Sequence, residues 1–386
     1  MNIEQQIESS ISALDVFLTQ EQRRPKQILD YLRNTPLPYI ATYIESIGRA
    51  KAFDYSFRYL HRLGTHNVAL AVGLCMNQYI ALTIGALPVA KGSALEQIRS
   101  EFLQMVQKKR FILAVSSFDD FVRHKNDKSN VVFCETQTNG DIVCNGVKNF
   151  QSNITGADIL LFSGILDGNK TSLFYTMLDN PLAIRFGEPI YTGAMADADT
   201  RSVAFHNLLL PSQQMVPTEN PKESLGLHAM SRVFFAALAM APYIGGAQRA
   251  LAEAATFLNR VHVDGQALSE LDGYAVDLGR AQIQYQIMCD LIERFTMGLA
   301  ALTYTDLPVW LEQETTKAMA LKVHITAGCE SLVLLARKII GTHAMTEKHI
   351  ISRLSQQVLF AVLHPVINAK IEREMGRRLL SRFKSE

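Results

Sequence analysis

The chain has 386 residues, 48% of them hydrophobic and 19% charged, and a formal net charge of +1. This length suffices for two or three core-forming units. The near-zero net charge does not predict the basic surface that binds nucleic acid or an anionic membrane. No apolar run approaches the ~20 residues that span a bilayer, and the polar start is unlike a signal peptide. Five scattered cysteines without a C-x-x-C motif are typical of reduced thiols, so we expect a cytoplasmic protein.

The first part of the chain, residues 1–110, is predicted to be helical. Apolar residues recur at three- and four-residue spacing in Ile40–Ile47 and in Ala69–Ile84. The second segment is apolar nearly all round, which predicts a buried helix.

Between residues 111 and 221 short β-rich runs alternate with turn residues, which predicts a β-barrel or sandwich. Asn139-Gly140 is typical of a tight hairpin turn. The seven predicted strands contain Phe111–Val115, Val131–Phe133, Asp141–Val143, Ile159–Phe162, Ser172–Tyr175, Ala183–Phe186 and Ser202–Phe205.

From residue 222 to residue 386 the periodicity is helical again. The four predicted helices are Arg232–Val261, Leu271–Tyr304, Thr315–Ile340 and Glu347–Phe383. Four long helices in succession predict an antiparallel four-helix bundle. The whole chain is therefore predicted to be a multidomain α+β protein, with a helical domain, a central β domain and a helical bundle.

The second strand of the predicted hairpin carries Gly146-x-Lys148-x-Phe150-x-Ser152. Side chains two residues apart on a strand point to the same face, so Lys148, Phe150 and Ser152 are predicted to share one face. An aromatic ring and a hydroxyl so placed can cover a flat ring and hydrogen-bond its polar edge. The alternative is an ordinary hairpin with an exposed amphipathic face.

This strand motif, followed by Ala157-Asp158, resembles the flavin-facing strand of the acyl-CoA dehydrogenases, and the order of the three domains is similar too. Ala318–Lys322 and Arg337–Thr342 also resemble segments of that family's last two bundle helices. The resemblance implies a flavin, FAD or FMN, with Phe150 against the isoalloxazine and Ser152 near its N5 edge. It also implies a homodimer or homotetramer in which a neighbouring subunit touches each flavin.

A dehydrogenase of this family needs a carboxylate base to remove the α-proton of an acyl thioester. Between Lys348 and Lys370 the chain has no carboxylate, and Ser231–Ala237 has none either. Ordinary α,β-dehydrogenation is therefore not expected.

In place of the glutamate the chain has Leu363-His364-Pro365-Val366, which resembles flavin-dependent monooxygenases of the dibenzothiophene monooxygenase and nitrososynthase type. That resemblance implies reduced flavin, supplied by a separate reductase, and O2. A histidine such as His364 can stabilise the hydroperoxide or move its proton. The alternative is a helix histidine that fills a subunit contact beside a proline.

The remaining flavin contacts follow from the same resemblance. The hydroxyl or backbone donor for the pyrimidine edge is assigned to Ser116 or Ser117, and a phosphate contact to Arg260. Gly341 and Thr342 occupy the position of the family's Gly-Gly pair. The alternative to a phosphate contact is that Arg260 lies on a solvent-exposed turn and binds no ligand. No metal-ligand spacing is present in the sequence.

The predicted function is therefore a two-component flavin monooxygenase acting on a small organic or carrier-bound substrate. Two alternatives stay open: a nonstandard acyl-thioester dehydrogenase, and a catalytically degenerate flavin-binding or interaction protein.

Overall fold

The computed structural model describes residues 1–19, 24–116, 130–168, 170–216, 221–346, 348–364 and 366–383. The predicted site residue Ser117 lies outside these ranges. The N-terminal part consists of helices, as predicted: α1 Ile3–Thr19, α2 Pro25–Arg33, α3 Ile44–Ile47, α4 Arg49–His66, α5 Val68–Ala86 and α6 Ala94–Lys109, with a 3₁₀ helix at Leu37–Tyr43.

Helix α5 is the central helix of this part. It contains no charged residue, and the Asn67 side chain caps its start by accepting a hydrogen bond from Leu70 N at 3.0 Å. Four helical segments of the described chain are long and apolar enough to cross a membrane by length and composition alone, so the prediction that no apolar run approaches this length is wrong. In α5, 89% of that apolar stretch is buried against other elements.

The central part is one mixed sheet with the order β6-β7-β3-β2-β4-β5-β8, in which β1 pairs in parallel with β4. All seven predicted strands lie in it. The predicted hairpin is confirmed, because β2 and β3 are antiparallel and Cys134 faces Cys144 across it. Bounds are β1 Leu113–Val115, β2 Val132–Thr136, β3 Ile142–Gln151, β4 Ile159–Leu166, β5 Lys170–Met177, β6 Ile184–Phe186, β7 Arg201–Leu210 and β8 Met215–Val216.

The C-terminal part is helical, apart from a small hairpin of β9 His262–Val263 and β10 Gln266–Ala267. Its helices are α7 Pro221–Leu238, α8 Met240–Arg260, α9 Asp272–Gly298, α10 Leu307–Ile340, α11 Ile350–Leu363 and α12 Asn368–Arg382. Short 3₁₀ helices lie at Leu268–Glu270, Leu299–Ala301 and Gly341–Met345.

Two of the four predicted bundle helices are each divided in two. The first breaks at Ala239, where Pro242 in the next turn has no backbone N–H to continue the helix. The last breaks after Leu363, where His364 has an extended backbone with ψ of 137°. A residue that precedes proline disfavours the helical region, and Pro365 follows His364 in the sequence. The second break creates the turn on which the candidate site depends.

The helical and sheet parts are joined by specific contacts. Arg33 Nη1 on α2 lies 2.7 Å from Asp158 Oδ2 at the start of β4, and the same oxygen accepts from Ile112 N at 2.7 Å. Element types change close to the predicted domain boundaries, between Lys109 and Leu113 and between Val216 and Pro221. The division into domains 1–110, 111–221 and 222–386 itself stays a prediction.

Candidate functional site

Phe150 near the end of β3 presents its ring outward, with 60% of the residue exposed. Its φ is 65°, and the pairing of β3 with β7 is irregular between Lys148 and Gln151. This bulge breaks the alternation of the strand. The Lys148 side chain is buried and donates to Ser163 Oγ at 3.1 Å, so the prediction that Lys148 and Phe150 share a face is wrong.

The residues after Phe150 form a buried polar edge. Ser152 Oγ lies 2.8 Å from Thr200 Oγ1 on β7. Gln151 Oε1 and Asn153 Nδ2 are buried without a hydrogen-bond partner in the described chain. Unpaired buried polar atoms cost free energy, and a ligand that pairs with them recovers part of it.

Ser116 follows β1 directly and is fully buried. Its backbone N–H donates to Leu161 O on β4 at 2.8 Å, whereas its Oγ has no hydrogen-bond partner in the described chain. A free hydroxyl at this strand end is the group that the sequence analysis assigned to the pyrimidine edge of a flavin. Its role stays a prediction.

A chain of aromatic rings runs from Phe150 to His364. The Tyr191 ring centroid is 6.3 Å from that of Phe150 and 4.9 Å from that of Phe360. The Phe360 ring is in turn 5.4 Å from the His364 ring. Phe150 and His364 therefore belong to one region, but two rings separate them.

The loop that carries Tyr191 is held against the bundle. Gln357 on α11 donates from Nε2 to Ala194 O at 2.8 Å, and Asn153 N donates to Ala198 O at 2.7 Å. The 3₁₀ helix Gly193–Ala198 thus connects the end of β3 with α11.

His364 ends α11, and its imidazole is buried against Phe235 and Phe360. Burial first, and the charge of Lys322 second, lower the pKa of His364 to about 3. The ring is therefore neutral at pH 7. The cavity beside it, lined by Phe235, Ala239, Tyr243 and Thr326 among others, measures about 10 Å³, scarcely room for one water molecule.

The tautomer of His364 follows from its partner Tyr243. Tyr243 Oη lies 3.2 Å from His364 Nδ1, and burial raises the pKa of this phenol well above its usual value. We assign the phenol as the donor to Nδ1, because Tyr243 Oη has no other hydrogen-bond partner in the described chain and the reverse assignment would leave its buried O–H unpaired. The ring proton of His364 then lies on Nε2, which is left as a donor.

Lys322 on α10 holds the turn that follows His364. Its Nζ donates to His364 O at 3.0 Å, to Val366 O at 3.0 Å and to Asn368 Oδ1 at 2.7 Å. Asn368 Nδ2 in turn donates to Thr326 Oγ1 at 2.9 Å. Burial lowers the pKa of Lys322 to about 8, and its three acceptors fix the ammonium in place.

Two carboxylates are buried in the described chain, and neither contacts His364. Glu223 in the first turn of α7 accepts a hydrogen bond from Ala90 N at 2.8 Å. Twelve residues of helix separate it from Phe235, a rise of about 18 Å. Glu314 on α10 is paired with Lys317.

The other predicted contacts lie at one end of the bundle. Arg260 ends α8 and is exposed, as are Gly341 and Thr342 after α10. A ring contact of 6.0 Å between Phe257 and His343 brings these two segments together. In the described chain they make no recorded contact with Phe150, Ser152 or His364.

Sequence reasoning did not single out Tyr191 and Tyr243, and it quoted Lys322 only as part of a family resemblance. Tyr191 lies in an irregular loop without a motif. Tyr243 carries a signal, since a tyrosine next to Pro242 at a helix start is a polar group in an otherwise apolar segment. Its pairing with His364, across 121 positions, needs the fold.

Comparison with known proteins finds similarity to solved structures. No family model matches the sequence, and no curated protein matches it significantly. Butyryl-CoA dehydrogenase from Megasphaera elsdenii is similar with a TM-score of 0.76 at 16% identity, over 97% of this chain and 98% of that chain.

Dibenzothiophene monooxygenase (TdsC) from Paenibacillus sp. A11-2 has a TM-score of 0.79 at 15% identity, over 98% of this chain and 97% of that chain. KijD3, in complex with FMN and a dTDP-linked amino sugar, has a TM-score of 0.78 at 14% identity, over 98% of this chain and 93% of that chain. The chain has the acyl-CoA dehydrogenase fold, which confirms the predicted fold class. The low identities make it a divergent branch of that fold.

Proposed function

We propose that the protein is a cytoplasmic flavin-dependent oxidoreductase and that it works as a two-component monooxygenase on a small organic or carrier-bound substrate. The observation that carries this proposal is a neutral, buried imidazole at the turn where an acyl-thioester dehydrogenase needs a carboxylate. Two structural neighbours, TdsC and KijD3, have been solved with bound FMN.

The described residues fit a flavin on the sheet side of the site. The exposed Phe150 ring offers a flat apolar surface, and Ser116 Oγ and Asn153 Nδ2 are buried polar atoms that lack partners. Ser116, Ser117 and Ser152 would hold the polar edge of the ring system. When bound in its reduced form, flavin supplies the electrons that activate O2.

His364 would act as a hydrogen-bond donor. Its Nδ1 accepts from Tyr243, so Nε2–H can donate to an oxygen atom and stabilise negative charge there. A pKa of about 3 makes this imidazole a poor base at neutral pH. This role requires the rings of Tyr191 and Phe360 to move aside, because they separate His364 from Phe150.

The phosphate end of the cofactor, FMN or FAD, would be bound by a second copy of the chain. Arg260, Gly341 and Thr342 lie together on an exposed end of the bundle, apart from Phe150. A homodimer or homotetramer that brings this end to a neighbouring sheet would complete the site. A separate flavin reductase would supply reduced flavin.

The alternative acyl-thioester dehydrogenase is less well supported. The buried carboxylates of the described chain, Glu223 and Glu314, make no contact with His364 or its neighbours. A flavin-binding or interaction protein that has lost catalysis is the other alternative.

The first experiment measures flavin binding. We expect the purified protein to bind FMN or FAD, with the released cofactor identified by mass. Phe150→Ser is expected to weaken binding at least about tenfold, equivalent to about 1.4 kcal/mol, because the apolar platform is lost. If the protein binds neither flavin, the proposal is wrong, and an interaction protein without a flavin is the alternative that is left.

The second experiment separates the two reactions. Flavin-loaded protein is mixed anaerobically with acyl-CoA, and the reduced protein is mixed with O2. A monooxygenase leaves the oxidised flavin unchanged by acyl-CoA, and it reacts with O2 in a manner that His364→Ala alters. Reduction of the flavin by acyl-CoA would overturn the proposal in favour of the dehydrogenase.

A further inference from the structure

A second cleft lies in the N-terminal part, outside the candidate flavin site. Its volume is about 530 Å³, within the range of roughly 300–1,000 Å³ usual for small-molecule sites. The end of the 3₁₀ helix Leu37–Tyr43, α3, the start of α4, the end of α5 and one face of α6 form its walls, and Ala300 closes one side. None of its lining residues belongs to the flavin site proposed above.

Arg49 is the first residue of α4, and its guanidinium is held rigidly at the wall of this cleft. Nε donates to Ala86 O at 2.8 Å and Nη1 donates to Leu302 O at 2.8 Å. A guanidinium has five N–H donors, so these two bonds leave the others available. No other acceptor for Arg49 is recorded in the described chain.

Arg99 on α6 lines the same cleft. Its Nη1 donates to Leu87 O at 2.8 Å, next to the carbonyl that Arg49 binds. Burial, and then the charge of Arg99, lower the pKa of Arg49, which indicates that the two charges lie close together. No carboxylate of the described chain lies within 4.0 Å of either guanidinium.

The two arginines also cap the C-terminal end of α5, a role that favours cations. Capping accounts for two of their N–H groups, those that donate to Ala86 O and Leu87 O, but it leaves two half-buried positive charges side by side. Like charges at close range repel each other, and an anion placed between them removes that cost. Planar guanidinium groups bind carboxylate and phosphate oxygens in pairs.

The remaining polar groups of the cleft are mostly neutral. Thr42, Ser100, Gln104 and Gln107 offer hydroxyl and amide groups. The Lys51 ammonium is already held by Glu4 at 2.9 Å, and Glu45 is an exposed carboxylate in the lining. Neutral hydrogen-bonding groups around a cationic pair suit a polar ligand that carries one strongly anionic group.

We propose that this cleft binds a phosphate-bearing small molecule, with the phosphate between Arg49 and Arg99 and the rest of the molecule along the polar face of α6. The cleft is large enough for more than the phosphate alone. This site does not depend on the flavin or on the reaction proposed for His364.

The test uses the full chain and pyrophosphate as the probe, at constant ionic strength, with binding measured by calorimetry. Gln104→Glu places a carboxylate in the cleft and removes one long hydrogen bond, from Gln104 Nε2 to Ser100 Oγ at 3.4 Å. Gln97→Glu, on the same helix but outside the cleft, adds the same charge, also removes one hydrogen bond, to Glu101 Oε1 at 2.9 Å, and serves as the control. We expect one site per chain with a Kd near or below about 1 mM, weakened at least about tenfold by Gln104→Glu and less than about twofold by Gln97→Glu.

Arg99→Gln provides a second variant, since it removes one charge and a single recorded bond to Leu87 O. It is expected to weaken pyrophosphate binding by a similar factor while the chain still unfolds cooperatively. Absence of binding to the unmodified chain, or equal weakening by Gln104→Glu and Gln97→Glu, would overturn the proposal.

Discussion

In the described part of the chain, His364 and His61 are each paired with a tyrosine, but their structural surroundings differ. His364 Nδ1 lies 3.2 Å from Tyr243 Oη, and His61 Nε2 lies 3.1 Å from Tyr285 Oη. Burial is the main cause that lowers both pKa values, to about 3 and about 4.

His61 lies within α4, stacked on Phe57 and packed towards α9. His364 instead ends a helix, lines a cavity, and has its own carbonyl held by Lys322. A lowered pKa therefore reports burial in both places and does not by itself identify a functional group. The backbone turn and the cavity are what distinguish His364.

The largest effect is expected from Lys322→Met, which breaks the His364 turn and leaves the His61 pair intact. Two carbonyl oxygens and Asn368 Oδ1 lose their donor, so we expect the free energy of unfolding to fall by about 3 kcal/mol or more. Removing the charge of Lys322 should also raise the pKa of His364, measurable by NMR titration of the imidazole.

Lys338→Met on the same helix is the matched control for Lys322→Met. Lys338 is exposed near the end of α10 and makes no salt bridge in the described chain, so its loss should cost less than about 1 kcal/mol. If both variants lower the free energy of unfolding equally, the hydrogen bonds of Lys322 do not stabilise the turn.

We expect the two histidines to contribute in the same direction to the pH dependence of the free energy of unfolding. Above pH 6.5 both are neutral in the folded and unfolded chain. Between pH 6.5 and about 4 the unfolded chain binds protons that folded His61 and His364 do not, so stability falls as the pH falls. Each histidine contributes up to about 3 kcal/mol to this loss.

Urea unfolding measured between pH 7 and pH 4.5 tests this expectation. His61→Gln should make the slope of unfolding free energy against pH shallower. His206→Gln, at an exposed position on β7, should leave it unchanged. If His61→Gln does not alter the slope, His61 is protonated in the folded chain and the comparison fails.

The tyrosine partners sharpen the comparison further. Tyr243→Phe removes a buried hydrogen bond and Tyr285→Phe a partly buried one, so each should cost about 1 kcal/mol of unfolding free energy. Only Tyr243→Phe should change the reaction of a bound reduced flavin with O2, because only Tyr243 fixes the Nε2–H tautomer of His364. An equal change from Tyr285→Phe would show that the effect is a general loss of packing.

The sequence predicted the features that arise from local patterns. The hairpin around Asn139-Gly140 follows from turn chemistry, and the long helices follow from apolar periodicity. The shared face of Lys148 and Phe150 was mispredicted because a bulge with positive φ breaks the two-residue period. The contacts of His364 could not be predicted, because Tyr243 and Lys322 come from different helices far along the chain.

The smallest effect on stability is expected at Phe150, on the sheet side of the same site. Its ring is 60% exposed, so Phe150→Leu should change the free energy of unfolding by less than about 0.5 kcal/mol. Leu182→Ala, at a residue that is 86% exposed in the same part of the chain, is the control and should be equally mild.

The two variants should nevertheless differ in flavin affinity. An exposed aromatic ring contributes little to folding. A backbone φ of 65° at a residue other than glycine costs free energy, and a flavin stacked on the Phe150 ring can offset this cost. Phe150→Leu should therefore weaken flavin binding several-fold while Leu182→Ala leaves it unchanged, as measured by fluorescence titration. If both variants bind flavin as the unmodified chain does, the strained position of Phe150 serves only the bulge, and the platform for the flavin must lie elsewhere.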